Sequence, residues 1–300
     1  MTGKLIAALG SALSATLLAG AAWAQELGQP HPGQIGLQTS VTPIMDSIVA
    51  FHDGILLWTA VLITLLVLAL LVIVMVRFNA KSNPKPSATT HNTLIEVIWT
   101  VAPILVLVVI AIPSFGVLTD QMTVPDGERK YLGSNIFSFG EVDVPAASVT
   151  IKATGASWYW SYEYVDQGLT FDSNILSEEA RLAEANPQPR LLGVNNMMVV
   201  PVNTTVRLQV TSADVIHAFA MPSFGIKTDA VPGRLNETWF NARETGVFYG
   251  QCSELCGKDH AFMPIGIRVV TQEQYDAWIA AFEASSDVRE ANATLVAQAS

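Results

Sequence analysis

The sequence predicts a two-helix membrane hairpin, then an all-β sandwich or barrel, then one short helix near the C-terminus. Three patterns predict it. Residues 55–76 and 97–118 each run 22 residues without a charge, long enough to cross a bilayer. Beyond residue 119 apolar and polar residues alternate over short stretches such as 149–151 and 206–210, the period of half-buried strands. Tyr275, Trp278, Ile279 and Phe282 recur at helical spacing. Composition agrees, with 50% hydrophobic and only 14% charged residues.

The elements follow in order. Lys4, the apolar run 5–18 and Ala22-Trp23-Ala24 read as an export signal cleaved after residue 24. Residues 25–54 form an N-terminal segment with no Lys or Arg. The hairpin occupies 55–118, and its loop 77–96 carries Arg77, Lys81 and Lys85 with no acid before Glu96. Positive charge marks the cytoplasmic side, so both outer ends are expected in the periplasm of a bacterial inner membrane. Pro103 and Pro113 lie inside the second span, where packed neighbours can satisfy freed carbonyls. Trp58 and Trp99 fit interfacial belts. Residues 119–284 are the β-domain, punctuated by turn signals at 231–234 and 244–246. Residues 285–300 are polar, alanine-rich and expected to be a flexible tail.

Charge narrows the partners. From residue 119 onward 22 acids face 12 bases, an excess of ten negative charges, while the rest of the chain is balanced. Such a domain argues against nucleic acid and would draw in a basic macromolecule. Each single acid is still, first of all, a solvated carboxylate.

The chemistry concentrates in one loop. Cys252 and Cys256 are four residues apart, His260 follows four later, and Met263 three after that. Two soft sulfur donors with an imidazole and a thioether favour copper. A second imidazole, His217, follows a predicted strand. A disulfide is the plain alternative in an oxidising compartment. Zinc would have little use for the Met. A mononuclear blue-copper site uses one Cys, two His and a weak Met, so this chain has one thiolate more than that site needs. The surplus thiolate suits two coppers bridged by two sulfurs, each completed by one histidine.

The Cys-Ser-Glu-Leu-Cys-Gly loop with His260 and Met263 resembles the dinuclear copper (CuA) motif of cytochrome c oxidase subunit II, of alphaproteobacterial type. The resemblance extends over 95–100, the aromatic run 158–164, 215–217 and 227–234. It implies a cupredoxin-like Greek-key domain in which Cys252 and Cys256 bridge two copper ions. His217 and His260 would be terminal ligands, with Met263 and the Glu254 carbonyl as weak axial ones. The Glu254 carboxylate would hold Mg or Mn at the boundary with subunit I, as suits a hard ion. Trp158 would admit electrons from cytochrome c, although an aromatic strand is more often simply core. Glu163, Asp172, Asp214 and Asp229 would attract that donor. Glu96 would stand at the mouth of a proton path, although interfacial glutamates are often only surface groups.

The implied function is electron transfer from cytochrome c to copper and on to the haem of subunit I, where oxygen is reduced to water. Subunits I and III and membrane lipid are the implied neighbours. Five histidines, none inside an apolar span, cannot ligate membrane haems here. Two departures stand out. The stretch 126–147 is longer than a minimal link between membrane and copper domain, and Gly155-Ala156-Ser157 precedes the tryptophans where many relatives have Gly-His-Gln. No Cys-x-x-Cys-His occurs, so no attached haem is expected. Two rival functions remain: a quinol-oxidase scaffold without copper, and a copper chaperone or thiol oxidoreductase. The intact ligand set speaks against the first, and the lack of alternating helices and strands against the second.

Overall fold

The computed structural model describes residues 27–85, 87–138, 140–184 and 186–297. The candidate export signal at 1–24 lies outside them. Two compact units form, one from Pro43–Ala146 and one from the described parts of Met1–Thr42 and Ala147–Ser300.

In the first unit helix α1 (Pro43–Phe51) runs through a π-helical turn (His52–Leu56) into α2 (Leu57–Arg77). The continuous helical segment is 35 residues long, so the helix that carries the first apolar run begins well before residue 55. Helix α3 (Thr93–Met122) carries both prolines, and 18-residue apolar windows in the two helices have no buried residue within the chain. Such uncovered apolar surface is stable only in lipid or against other protein. Asn92 caps α3 by accepting from Ile95 N at 3.2 Å, and Glu96 Oε1 accepts from Asn92 N at 3.3 Å. Glu96 thus has a local capping role at the helix start.

The long stretch after α3 turns back on it. A ribbon of β1 (Lys130–Tyr131) and β2 (Val142–Asp143) anchors it, and Leu132 and Ile136 bury themselves with Val117 of α3. Asp120, buried, accepts from Arg129 Nη2 at 2.8 Å and from Leu132 N at 2.7 Å.

The second unit is a sandwich of two five-stranded sheets. One has the order β10 (Asn236–Asn241), β7 (Thr205–Ser212), β3 (Val149–Ala156), β4 (Tyr159–Tyr164), β5 (Leu169–Ser173). The other runs β6 (Met198–Pro201), β12 (Pro264–Val270), β11 (Gly246–Cys252), β8 (His217–Met221), β9 (Ile226–Ala230). Pairs β3–β7 and β6–β12 are parallel, so chain crossovers are built into both sheets. A short helix α4 (Glu178–Leu182) lies in the β5–β6 connection. The predicted alternation is realised in β7, where Val206, Leu208 and Val210 are buried and Arg207 and Gln209 both reach Glu237 on β10. The sheets meet through rings: Trp160 of β4 packs edge-on against Phe219 of β8 at 5.2 Å. Phe224, after β8, meets Phe240 of β10 and Phe248 of β11 at 4.9 and 5.0 Å.

Two terminal stretches join this unit. Thr42 Oγ1 donates to Phe224 O at 2.7 Å, Arg243 N to Val41 O at 3.0 Å, and Tyr249 N to Gly28 O at 2.8 Å. The expected C-terminal helix is α5 (Gln272–Ser285), started by a Thr271–Gln274 capping box and burying Tyr275, Trp278 and Phe282. The expected flexible tail is corrected: Val288–Ala297 forms a further helix, α6. Its Val288, Ala291 and Leu295 are buried, and Asn292 accepts from Trp278 Nε1 at 3.0 Å. Spacing i, i+3, i+7 gives this alanine-rich stretch an apolar stripe despite its polar composition.

Candidate metal centre

One end of the second sheet collects the predicted donors. Cys252 closes β11, His217 opens β8, and these two strands pair at Cys252↔Phe219 and Gln251↔Ala220. Antiparallel pairing therefore brings together two residues 35 positions apart in sequence. The loop between β11 and β12 supplies Cys256, and a single 3₁₀ turn, His260–Phe262, carries His260. Cys252 N donates to Met263 O at 3.1 Å, which closes the loop and holds the buried Met263 beside Cys252.

Both cysteines are free and buried, with sulfurs 3.8 Å apart. That distance excludes the disulfide reading for this structure, since a bond needs about 2.05 Å. His217 Nδ1 lies 3.9 Å from Cys252 Sγ, and His260 Nδ1 lies 3.6 Å from Cys256 Sγ. The Glu254 carbonyl oxygen is 3.3 Å from Cys252 Sγ, whereas its side chain is exposed. The donor atoms of His217, Cys252 and Cys256 all fall within 4.8 Å of one another. Burial, reinforced by the neighbouring Cys252, pushes the Cys256 thiol up to about 12. A thiol so placed stays protonated near neutrality until a metal displaces the proton. Two thiols, two imidazoles and a thioether are the donor chemistry of copper.

The surroundings orient these donors. His217, wholly buried, places Nε2 2.9 Å from Asp214 Oδ1 and so leaves Nδ1 facing Cys252. Asp214 Oδ2 accepts from Ser157 N at 2.8 Å, and Oδ1 also accepts from Val215 N at 2.7 Å. Burial alone would raise the Asp214 carboxyl. The hydrogen bonds from Ser157, His217 and Val215 outweigh it and hold the group well below the usual carboxylate range. Gly155, the one residue of Gly155-Ala156-Ser157 that keeps the family pattern, has a physical reason: a Cβ there would come within 2.9 Å of His217 Cδ2. Trp160 meets the same imidazole edge-on at 6.2 Å.

Trp158 stands over the loop. Its Nε1 donates to Cys256 O at 3.3 Å, and its ring is half-buried against Gly257, whose φ of +127° favours glycine. The four acids read from sequence as a docking surface are differently placed. Glu163 pairs with Lys152 at 3.1 Å and Asp229 with Lys227 at 3.8 Å. Asp214 is engaged as described, and Asp172 stands exposed on β5. Sequence reasoning missed the orienting role of Asp214. Its position three residues before His217 was the available signal.

A cupredoxin-like sandwich on an apolar hairpin, with soft donors gathered at one end, defines a membrane-anchored copper protein of the electron-transfer kind. The family model described as cytochrome c oxidase subunit II, periplasmic domain, matches residues 149–270, and that of the subunit's transmembrane domain matches 30–117. A probable cytochrome c oxidase subunit 2 of Rickettsia bellii is 47% identical over 253 residues, covering 84% of this chain and 85% of that protein. Cytochrome c oxidase subunit 2 of Cereibacter sphaeroides is 40% identical over 268 residues, covering 84% and 82%. Among solved structures, the periplasmic domain of subunit II of cytochrome oxidase of Bradyrhizobium japonicum is 62% identical. It covers 46% of this chain and 94% of its own, with a TM-score of 0.41. This chain belongs to the cytochrome c oxidase subunit II family. It is accordingly a membrane-bound subunit of a respiratory oxidoreductase that works in complex with other oxidase subunits, and copper is the metal its family implies.

Proposed function

We propose that this chain takes electrons from cytochrome c at a dinuclear copper centre and passes them to the haem of subunit I, where oxygen is reduced to water. The observation that carries it is the pairing of donors: two free thiols 3.8 Å apart, each with its own histidine Nδ1 within 4 Å. A mononuclear site would leave one thiolate and one imidazole unused. Cys252, Cys256, His217 and His260 would hold the two copper ions, with Met263 and the Glu254 carbonyl as weaker donors. When bound, the copper pair supplies a one-electron store. The protein keeps the donors dry and fixed, so little has to move when charge arrives.

Trp158 is the point where electrons enter. Its side chain is partly exposed while its Nε1 reaches the backbone of Cys256. Glu163, Asp172 and Asp229 would give the donor a long-range attraction, weakened for the two that have lysine partners. The exposed Glu254 carboxylate would hold Mg or Mn against subunit I. Glu96, at the loop end of α3, would open a proton path alongside its capping role. The chain would sit in a bacterial inner membrane beside subunits I and III. The basic loop 77–96 would face the cytoplasm, the copper domain the periplasm, and residues 1–24 would be removed on export.

Electron paramagnetic resonance on the copper-loaded full-length chain in detergent is the test. Hyperfine splitting from two equivalent copper nuclei is the expected result. A single-copper spectrum would overturn the dinuclear assignment, and failure to retain copper would bring back the scaffold reading.

A further inference from the structure

The loop that carries the ligands also carries a cation, on a face expected to be acidic. Lys258 Nζ stands 5.4 Å from the centroid of the Trp158 ring, in cation–π contact. It pairs with Asp259, at 3.7 Å, and Lys258 is 77% exposed, so the ammonium remains largely solvated. The backbone puts it there: Gly257 lets the chain turn under the indole at φ +127°, and the next residue rises over the ring. Asp214, next to the Ser157 that precedes the tryptophan, is occupied by His217, Ser157 and Val215. The domain's acidity thus draws a basic protein from a distance, yet the charge held against the Trp158 ring is positive.

We propose that Lys258 selects the electron donor by charge at the contact point. The donor that fits is a haem protein with a basic surround for long-range attraction, but with a carboxylate at the haem edge that meets Lys258. A donor with an unbroken ring of lysines around its haem edge is disfavoured. Rim charges of this kind act on encounter and salt dependence more than on the chemical step. This selection rests on Trp158 being the point where electrons enter.

The test is equilibrium binding of two cytochromes c to the purified oxidase at low ionic strength. One has an unbroken lysine ring, and the other carries a glutamate substituted at the haem edge. Lys258→Gln is expected to tighten binding of the lysine-ring donor about two- to fivefold, as for one exposed charge pair. Lys258→Glu should tighten it further and weaken the glutamate-bearing donor, while Lys258→Arg should behave as the parent. Raising the salt should collapse these differences. Absence of that crossover, or identical shifts for both donors, would overturn the role of Lys258 alone. Trp158→Phe, followed by flash-induced electron transfer from the bound donor, checks the reading beneath it. Binding kept with transfer slowed supports it. Transfer at the parental rate would overturn both.

Discussion

Asp214 is the residue whose replacement tests the site most sharply. Its Oδ1 sits 2.9 Å from His217 Nε2 and 2.7 Å from Val215 N, and its Oδ2 accepts from Ser157 N at 2.8 Å. In Asp214→Asn one oxygen survives and can keep the His217 and Val215 contacts as neutral hydrogen bonds. The new amide nitrogen then faces the Ser157 N–H, donor against donor. Losing a carboxylate that orients a ligand imidazole lowers metal affinity by about 10- to 100-fold. That corresponds to about 1.4–2.7 kcal/mol. Ser157 is exposed, so water can take its freed N–H, and the metal-free chain should lose about 0.5–1.5 kcal/mol for the broken bond. The assay is copper titration of the full-length chain against a competing chelator, paired with thermal unfolding of the metal-free form. Copper affinity within threefold of the parent, with unchanged melting, would refute the claim that Asp214 fixes the His217 ring.

Three further outcomes are expected. Gly155→Ala places a Cβ 2.9 Å from His217 Cδ2, so it should displace the imidazole and lower copper affinity while the β-domain stays folded, read by copper titration and circular dichroism. Asp120→Ala leaves Leu132 N without its acceptor and Arg129 without its acid, costing about 2–4 kcal/mol locally. The 124–146 stretch should then become sensitive to limited proteolysis. Leu295→Ala removes a side chain only 4% exposed and should cost about 2–4 kcal/mol, seen as a lower melting temperature of the chain. An unchanged melting temperature would mean that α6 contributes nothing to the domain.

What could be read from sequence was whatever repeats or clusters locally. The hairpin is a matter of hydropathy over 22 uncharged residues, and lipid imposes a helix on any such stretch because its backbone must satisfy itself. The strands showed their period of two, as in Val206, Leu208 and Val210. The copper chemistry was legible because four donors fall within twelve residues of one loop, Cys252 to Met263. Only the tertiary structure decided the rest. Strand pairing brings His217 to Cys252, and a hydrogen bond spanning 98 positions ties Trp158 to Cys256, contacts with no local signature. It also turned Asp214 from one acid among many into the holder of the His217 ring, because a carboxylate's role is set by which donors surround it. Residues 27–42 were grouped with the segment before the membrane, yet the Thr42 hydroxyl's bond to Phe224 and backbone bonds from Arg243 and Tyr249 bind them into the β-domain. Helix α6 carried its apolar spacing in the sequence, but that faint stripe gained meaning only once α5, whose Trp278 bonds to Asn292 of α6, gave it a surface to cover.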